Sequence, residues 1–433
     1  MRNDNDLATK SLDEETPVSE LTIDVLTNAV KGSAAAFRCR RRLSPAGGDG
    51  DKVFPPTFAG AVYAIESRHV AGRAAPVQCV LLDSVQSQAN RMELALQESV
   101  DGGNLKMPLL VVDFSKSDPT EDIEDDEKAG RLIDAIGKIT SLQVPHRLAD
   151  AILRDSEIGG KPFRKSDKGK ALNQVSFANA TPILELCPTA LVFGMWDSTG
   201  PKGGLGPKFE RAMVSEIVGI GAEIGDLRRG VRRDPLGARA AVKVLKKADS
   251  SWTVADAKAK GAVAPSKVNH SSVIFPEQRD KKTEENQYDG VTIEYAEQTT
   301  TLSLICLRRL RFPIDGASKP EADVAARTLL TALGLCAATL AFESGIGLRS
   351  RCLLWPDGPM SWELLDRPGE APKSFSLTGA AAIKLLSAAA EHATALKLPW
   401  PEKPIDLTPS QELVKLVRLS QQEATKEVPD GGK

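Results

Sequence analysis

The chain has 433 residues, with 56 basic and 58 acidic side chains and a formal net charge of −2. Its composition, 41% hydrophobic and 26% charged, is that of an ordinary globular fold, and a chain this long buries roughly three quarters of its unfolded surface without needing disulfides or metal. The charge balance excludes a histone-like polycation but not nucleic-acid binding, which depends on where the charges lie.

Residues 1–20 are polar and acidic and contain no apolar signal-peptide core. The segment 33–43 reads as a strand. Ser33, Ala35, Phe37, Cys39 and Leu43 fall on one face and Ala34, Ala36, Arg38, Arg40 and Arg42 on the other, with Arg41 the exception on the apolar side. A Gly/Pro-rich loop spans 45–56, and short strands are expected at 63–67 and 77–82. A helix follows with Asp83 as its N-cap and Gln86 in the third position of a capping box; Val85, Ala89, Met92 and Leu96 form its apolar stripe. A strand is expected at 109–114, an acidic loop at 117–128, and helices at 128–139 and 146–154. The stretch 158–178 is polar and basic. Strands are expected at 188–196 and 211–220, on either side of a Gly-rich loop, and 228–267 lacks clear periodicity. In the last third, 299–312 reads as a strand and 320–343 as an Ala/Leu helix with proline in its first turn. Strands at 348–355 and 361–366 read as a hairpin around Pro356-Asp357-Gly358-Pro359, and 376–396 and 411–426 read as helices. The order β-α-β-β-α, completed by the arginine-bearing strand, matches a ferredoxin-like unit and assigns the chain to the α+β class.

Six cysteines stand singly without a C-x-x-C, as expected for buried reduced thiols of a cytosolic protein, and the four histidines form no H-x-x-x-H pair. No metal or cofactor is expected. The longest apolar run, 329–342, is shorter than the about 18 residues a bilayer requires, so no membrane is expected.

Three features could carry function. Arg38, Arg40 and Arg42 repeat at about 6.6 Å along a strand, close to the phosphate spacing of an extended nucleic-acid strand. The same pattern fits a solvated edge guarded by arginines. The helix D-S-V-Q-S-Q-A-N-R-M-E (83–93) sets Gln86 and Asn90 on one flank and Ser87 and Arg91 on the other, an amide-rich choice suited to ribose-phosphate. The loop S-T-G-P-K-G-G-L-G-P-K (198–208) lets backbone N–H groups approach phosphate, with Lys202 and Lys208 beside it. It is not a Walker A loop, because Pro207 follows Gly206 where lysine is required. Further basic clusters lie at Arg228, Arg229, Arg232 and Arg233; at Lys161, Arg164, Lys165 and Lys168; and at Arg308, Arg309 and Arg311.

Taken in order, the stretches G-S-A-A-A-F-R-C-R-R-R-L (32–43), D-K-V-F-P-P-T-F (51–58), L-L-D-S-V-Q-S-Q-A-N-R-M-E (81–93), H-R-L-A-D-A-I-L-R-D-S (146–156), P-F-R-K-S (162–166) and C-P-T-A-L-V-F-G-M-W-D-S-T-G-P-K-G-G-L-G-P-K-F (187–209) resemble the backbone subunit of the type I-G (formerly I-U) CRISPR-Cas Cascade surveillance complex, of the RAMP superfamily. The resemblance spans most of the first half; the later part matches in element order, and 115–130 and 235–290 have no counterpart in the pattern. It implies one RRM-like palm over 21–433, with its core in 21–114 and 290–400, finger and thumb insertions in 115–289, and a C-terminal helix and tail at 401–433. It implies a non-catalytic subunit that oligomerises along the CRISPR guide RNA and supports pairing with target DNA. The implied partners are copies of itself, a large subunit and a guide-end-capping subunit. The implied RNA-binding residues are Arg38, Arg40, Arg41, Arg42, Lys52, Ser84, Gln86, Ser87, Asn90, Arg91, Arg164, Lys165, Lys202 and Lys208. Aromatics at 5% argue for contact with the RNA backbone rather than base stacking. The alternative is a RAMP-type endoribonuclease using His146 or His69. A nucleotide-binding enzyme built on the 200–206 loop is a third reading.

Overall fold

The computed structural model describes residues 19–59, 62–119, 131–200, 206–226, 231–247, 251–271, 273–274 and 288–425. The fold is α+β, in two compact units. Met1–Asp49, Leu82–Gly219 and Tyr295–Lys433 form the first, and Gly50–Leu81 and Ile220–Glu294 the second. The insertion expected at 115–289 therefore divides: 115–219 belong to the first unit and 220–289 to the second, joined there by 50–81.

In the first unit, Ser19–Glu20, Lys373–Ser376, Trp362–Leu365, Ala36–Pro45, Tyr295–Ser303 and Met213–Ile220 follow one another across a sheet. Ala36–Pro45, the arginine strand, runs antiparallel to Tyr295–Ser303, from Ala36 opposite Ser303 to Leu43 opposite Ala296. Tyr295–Ser303 alternates in burial throughout and Ala36–Pro45 does so from Phe37 onward, because one face packs on helices and the other meets solvent. The helix beneath is Pro320–Glu343, buried along nearly its whole length. Leu329, Leu330, Leu333 and Leu335 are fully enclosed, and each stabilises the fold by about 1.5–3 kcal/mol. Small residues let the helix approach the sheet closely: a Cβ on Gly334 would stand 3.1 Å from Leu302. By length and composition this helix could cross a membrane, which the short apolar run did not suggest. However, 83% of its most apolar window is buried, as in a core helix. A second sheet of the same unit orders Lys161–Pro162, Ser156–Ile158, Ile405–Pro409, Leu110–Asp113 and Lys138–Thr140.

Several expected elements differ. The hairpin around Pro356-Asp357-Gly358-Pro359 does not form. Cys352–Pro356 and Trp362–Leu365 both pair antiparallel with the arginine strand, one after the other along the same edge. The Pro/Gly stretch between them is a bulge in an interrupted strand, not a reversal; the true hairpin is Ile346–Arg349 with Cys352–Pro356. Residues 188–196 are mostly helix, Thr189–Phe193, whose five residues are all buried. A short apolar run buried on every side has no periodicity to separate strand from helix. Within 299–312 the strand ends at Ser303, whose hydroxyl caps helix Leu304–Arg308 by accepting from Cys306 N at 3.1 Å. The helix expected at 128–139 is absent from its described part. Instead the Asp118 carboxylate accepts from Ile136 N and Gly137 N, both at 2.9 Å, and strand Lys138–Thr140 follows. The helix at 146–154 is broken by Asp150, which caps Ala151–Arg154 after a 3-10 turn at Arg147–Ala149.

The second unit is built mostly of short antiparallel strand pairs. Ile65–Arg68 pairs with the first residues of Val77–Asp83, Glu223–Asp226 with Tyr288–Thr292, Val231–Arg232 with Val273–Ile274, and Lys243–Lys246 with Trp252–Ala255.

Candidate nucleic-acid interface

Alternation along the arginine strand places Arg38, Arg40 and Arg42 on the solvent side, with Phe37, Cys39 and Leu43 buried beneath. Each rung is already neutralised. Arg38 Nε lies 2.7 Å from Glu363, Arg40 Nη2 2.7 Å from Glu297, and Arg42 Nε 3.2 Å from Asp357; Arg42 also stacks over Tyr295 at 4.2 Å. The Arg40 and Arg42 pairs are largely exposed and the Arg38 pair is partly buried, so each contributes about 1 kcal/mol or less and can exchange for another anion.

One feature was missed in the sequence and a second was legible only in part. Trp355 lies directly opposite Ser44, on the same face as the rungs, and is 71% exposed. A low aromatic count hid a single well-placed ring. The second is Arg41, only 8% exposed and stacked 5.1 Å from the Phe342 ring. Its alternation marked it as an exception, but its state could not be read from the pattern.

On the helix Val85–Asp101 the N-cap is Ser84, whose Oγ accepts from Ser87 N at 3.3 Å; Asp83 is the last residue of the preceding strand. Asp83 is buried and accepts from Gln88 Nε2 at 2.6 Å and Arg91 Nε at 2.9 Å, while Arg91 also donates to the carbonyls of Gly347 and Leu348. Arg91 is thus a clamp within the fold. Gln86 and Asn90 remain exposed, and Ser87 is half-buried. The buried face is more polar than its stripe suggested, since Gln88, Glu93 and Gln97 lie inside it.

Arg164 is mostly enclosed, donating to Asp197 Oδ1 at 2.9 Å, whereas Lys165 is exposed on its 3-10 turn. Lys52 is half-buried in the second unit. Lys202, Arg228 and Arg229 lie outside the described residues, as does most of the acidic loop. Arg308, Arg309 and Arg311 are tied to the Ala34 carbonyl, Glu210 and Asp323, so that cluster is internal bracing.

Lys208 lies 5.5 Å from the ring of Trp196, itself 52% exposed. With His146, Arg211 and Phe193 they line a cleft of about 740 Å³. Arg147 forms its floor, held at φ 51° by a two-point ion pair to Glu93 at 2.7 Å and by the Gly194 carbonyl at 3.2 Å. Burial pushes the Glu93 carboxyl up and Arg147 opposes it. All six cysteines are free, and no group of metal-ligating side chains occurs among the described residues.

Residues 37–224 match a family model described as CRISPR-associated protein GSU0053. That match spans less than half of the chain. It covers the arginine strand, the helix Val85–Asp101 and the cleft. No curated protein matches the chain.

Proposed function

We propose that this chain is a non-catalytic guide-RNA-binding backbone subunit of a type I-G surveillance complex, repeating along the CRISPR RNA and supporting its pairing with target DNA. The carrying observation is the arginine strand, inside the segment matched by the CRISPR-associated family, with its rungs on the solvent face of an antiparallel sheet backed by helices. An RRM-like palm fits that arrangement. Rungs about 6.6 Å apart suit successive phosphates, and contact of that kind is blind to sequence, as a subunit accepting any guide requires. Sequence recognition then falls to base pairing. Further copies of the chain, a large subunit and a guide-end-capping subunit are the partners this reading implies.

The test is purification of the full chain, with its 260/280 absorbance ratio and size-exclusion position. Bound RNA in large assemblies is expected. Affinity for unrelated single strands should be similar and fall with salt at a log–log slope of about −0.7 per phosphate contact. Absence of RNA binding would overturn the proposal. A second reading, a guide-processing endoribonuclease, draws on the cleft that places exposed His146 near Lys208 and Arg211. His146 would move the proton of a 2′-hydroxyl attacking its neighbouring phosphate. Cleavage of precursor RNA that disappears in His146→Ala would establish that reading instead.

A further inference from the structure

The edge of the sheet is open at one place. Opposite Arg40 and Arg41 the strand Cys352–Pro356 has ended and Trp362–Leu365 has not begun. The break is a pocket of about 380 Å³, lined by Arg41, Ser361, Ser374 and Glu363 together with the three rungs and Glu297. Four arginines against two glutamates leave the lining with a net charge of +2.

Arg41 differs from the rungs around it. They have carboxylates; it has none. Its Nε and Nη1 are enclosed without an acceptor, and Ser361 Oγ beside it is enclosed without a partner as well. A guanidinium stays charged even where burial disfavours it, so the free chain holds an uncompensated cation at the break. Both unsatisfied groups can donate, and neither has found an acceptor within the fold. The missing occupant is therefore an anion rich in acceptor oxygens. The pocket shares its walls with the rungs, so an occupant there is continuous with a strand lying along them.

We propose that this break seats a phosphodiester of the bound guide strand against Arg41, making the buried arginine, rather than the exposed ladder, the anchor of the interface. The proposal rests on the guide-binding reading above.

The test uses the full chain freed of nucleic acid, single-stranded RNAs of unrelated sequence, and inorganic phosphate. Arg41→Met removes the charge and keeps the volume. The RNA-free variant should melt no lower than wild type, since an unpaired buried charge is lost. Its affinity for every RNA should fall about tenfold, and its salt slope should become shallower by about 0.7. Arg41→Lys keeps a charge without the fork geometry, and should also bind more weakly if Arg41→Met proves too unstable to assay. Wild-type RNA binding with unchanged affinity and slope in both variants would overturn this inference alone. Wild type that binds no RNA would overturn the guide-binding reading with it. A phosphate-induced thermal shift lost in Arg41→Met, with RNA affinity intact, would assign the pocket to a free anion and also overturn the inference.

Discussion

The two compact units are held together on different terms. The first packs two sheets and several helices around Pro320–Glu343, and its interior is nearly continuous. Among its described residues the second has no helix beyond the 3-10 turn Pro265–Val268, and most of its strands pair two by two. Its buried apolar residues are few, such as Val53, Val244 and Val291, while Leu236 and Val254 are exposed at 75% and 71%. A two-stranded ribbon is marginal without a face to pack on. The difference shows that composition averaged over the chain describes neither unit.

The sharpest way to break that contrast is at the buried ion pair of the first unit. Arg147→Ala strands Glu93 at 3% side-chain exposure and leaves the Gly194 carbonyl without its donor. A loss of about 3–5 kcal/mol is expected, measured by denaturant unfolding. Next comes the core helix. Leu333→Ala, at a fully enclosed position, should cost about 2–5 kcal/mol, whereas Val254→Ala in the second unit should stay within about 0.5 kcal/mol. Equal effects at the two positions would show that the second unit holds a core after all.

The thiols sharpen the comparison further within the first unit. Burial pushes Cys39 and Cys336 up to about 12, whereas Cys306 is only half-buried. Native protein at pH 8 should alkylate Cys306 first and the other two only on unfolding. Because their folded values lie above the unfolded one, these thiols add stability that is complete below about pH 8.5 and is lost as pH rises toward about 12. Early labelling of Cys336 would mean that the core helix opens locally.

What the sequence disclosed follows the same division. The helix Pro320–Glu343 matched its expected bounds, and Gly379–Ala395 and Gln411–Thr425 fell within theirs, because length, caps and composition agree there. The alternation of the arginine strand was legible because one face is buried. The failures were places where tertiary context decides. Thr189–Phe193 is apolar on all sides, Cys352–Pro356 and Trp362–Leu365 take a shared partner rather than each other, and Ile405–Pro409 becomes a strand only by pairing with Leu110–Asp113. At the candidate interface the positions of the rungs were legible, but their counter-ions were not. Glu363, Glu297 and Asp357 are 257 to 325 residues away along the chain from the arginines they meet.

Those counter-ions set the smallest expected effect on stability. Arg40→Ala removes a pair that is half exposed, so the fold should lose less than about 1 kcal/mol. It also frees the Glu297 carboxylate on the face proposed to meet RNA. Binding should therefore weaken by more than the loss of one phosphate contact, and Glu297→Gln in the same chain should restore part of it. The double variant separates two roles for the rungs. If Arg40 serves only to balance Glu297, removing both leaves RNA affinity at the wild-type level. If Arg40 exchanges Glu297 for phosphate on binding, the double variant remains weaker than wild type and its salt slope is shallower by about 0.7.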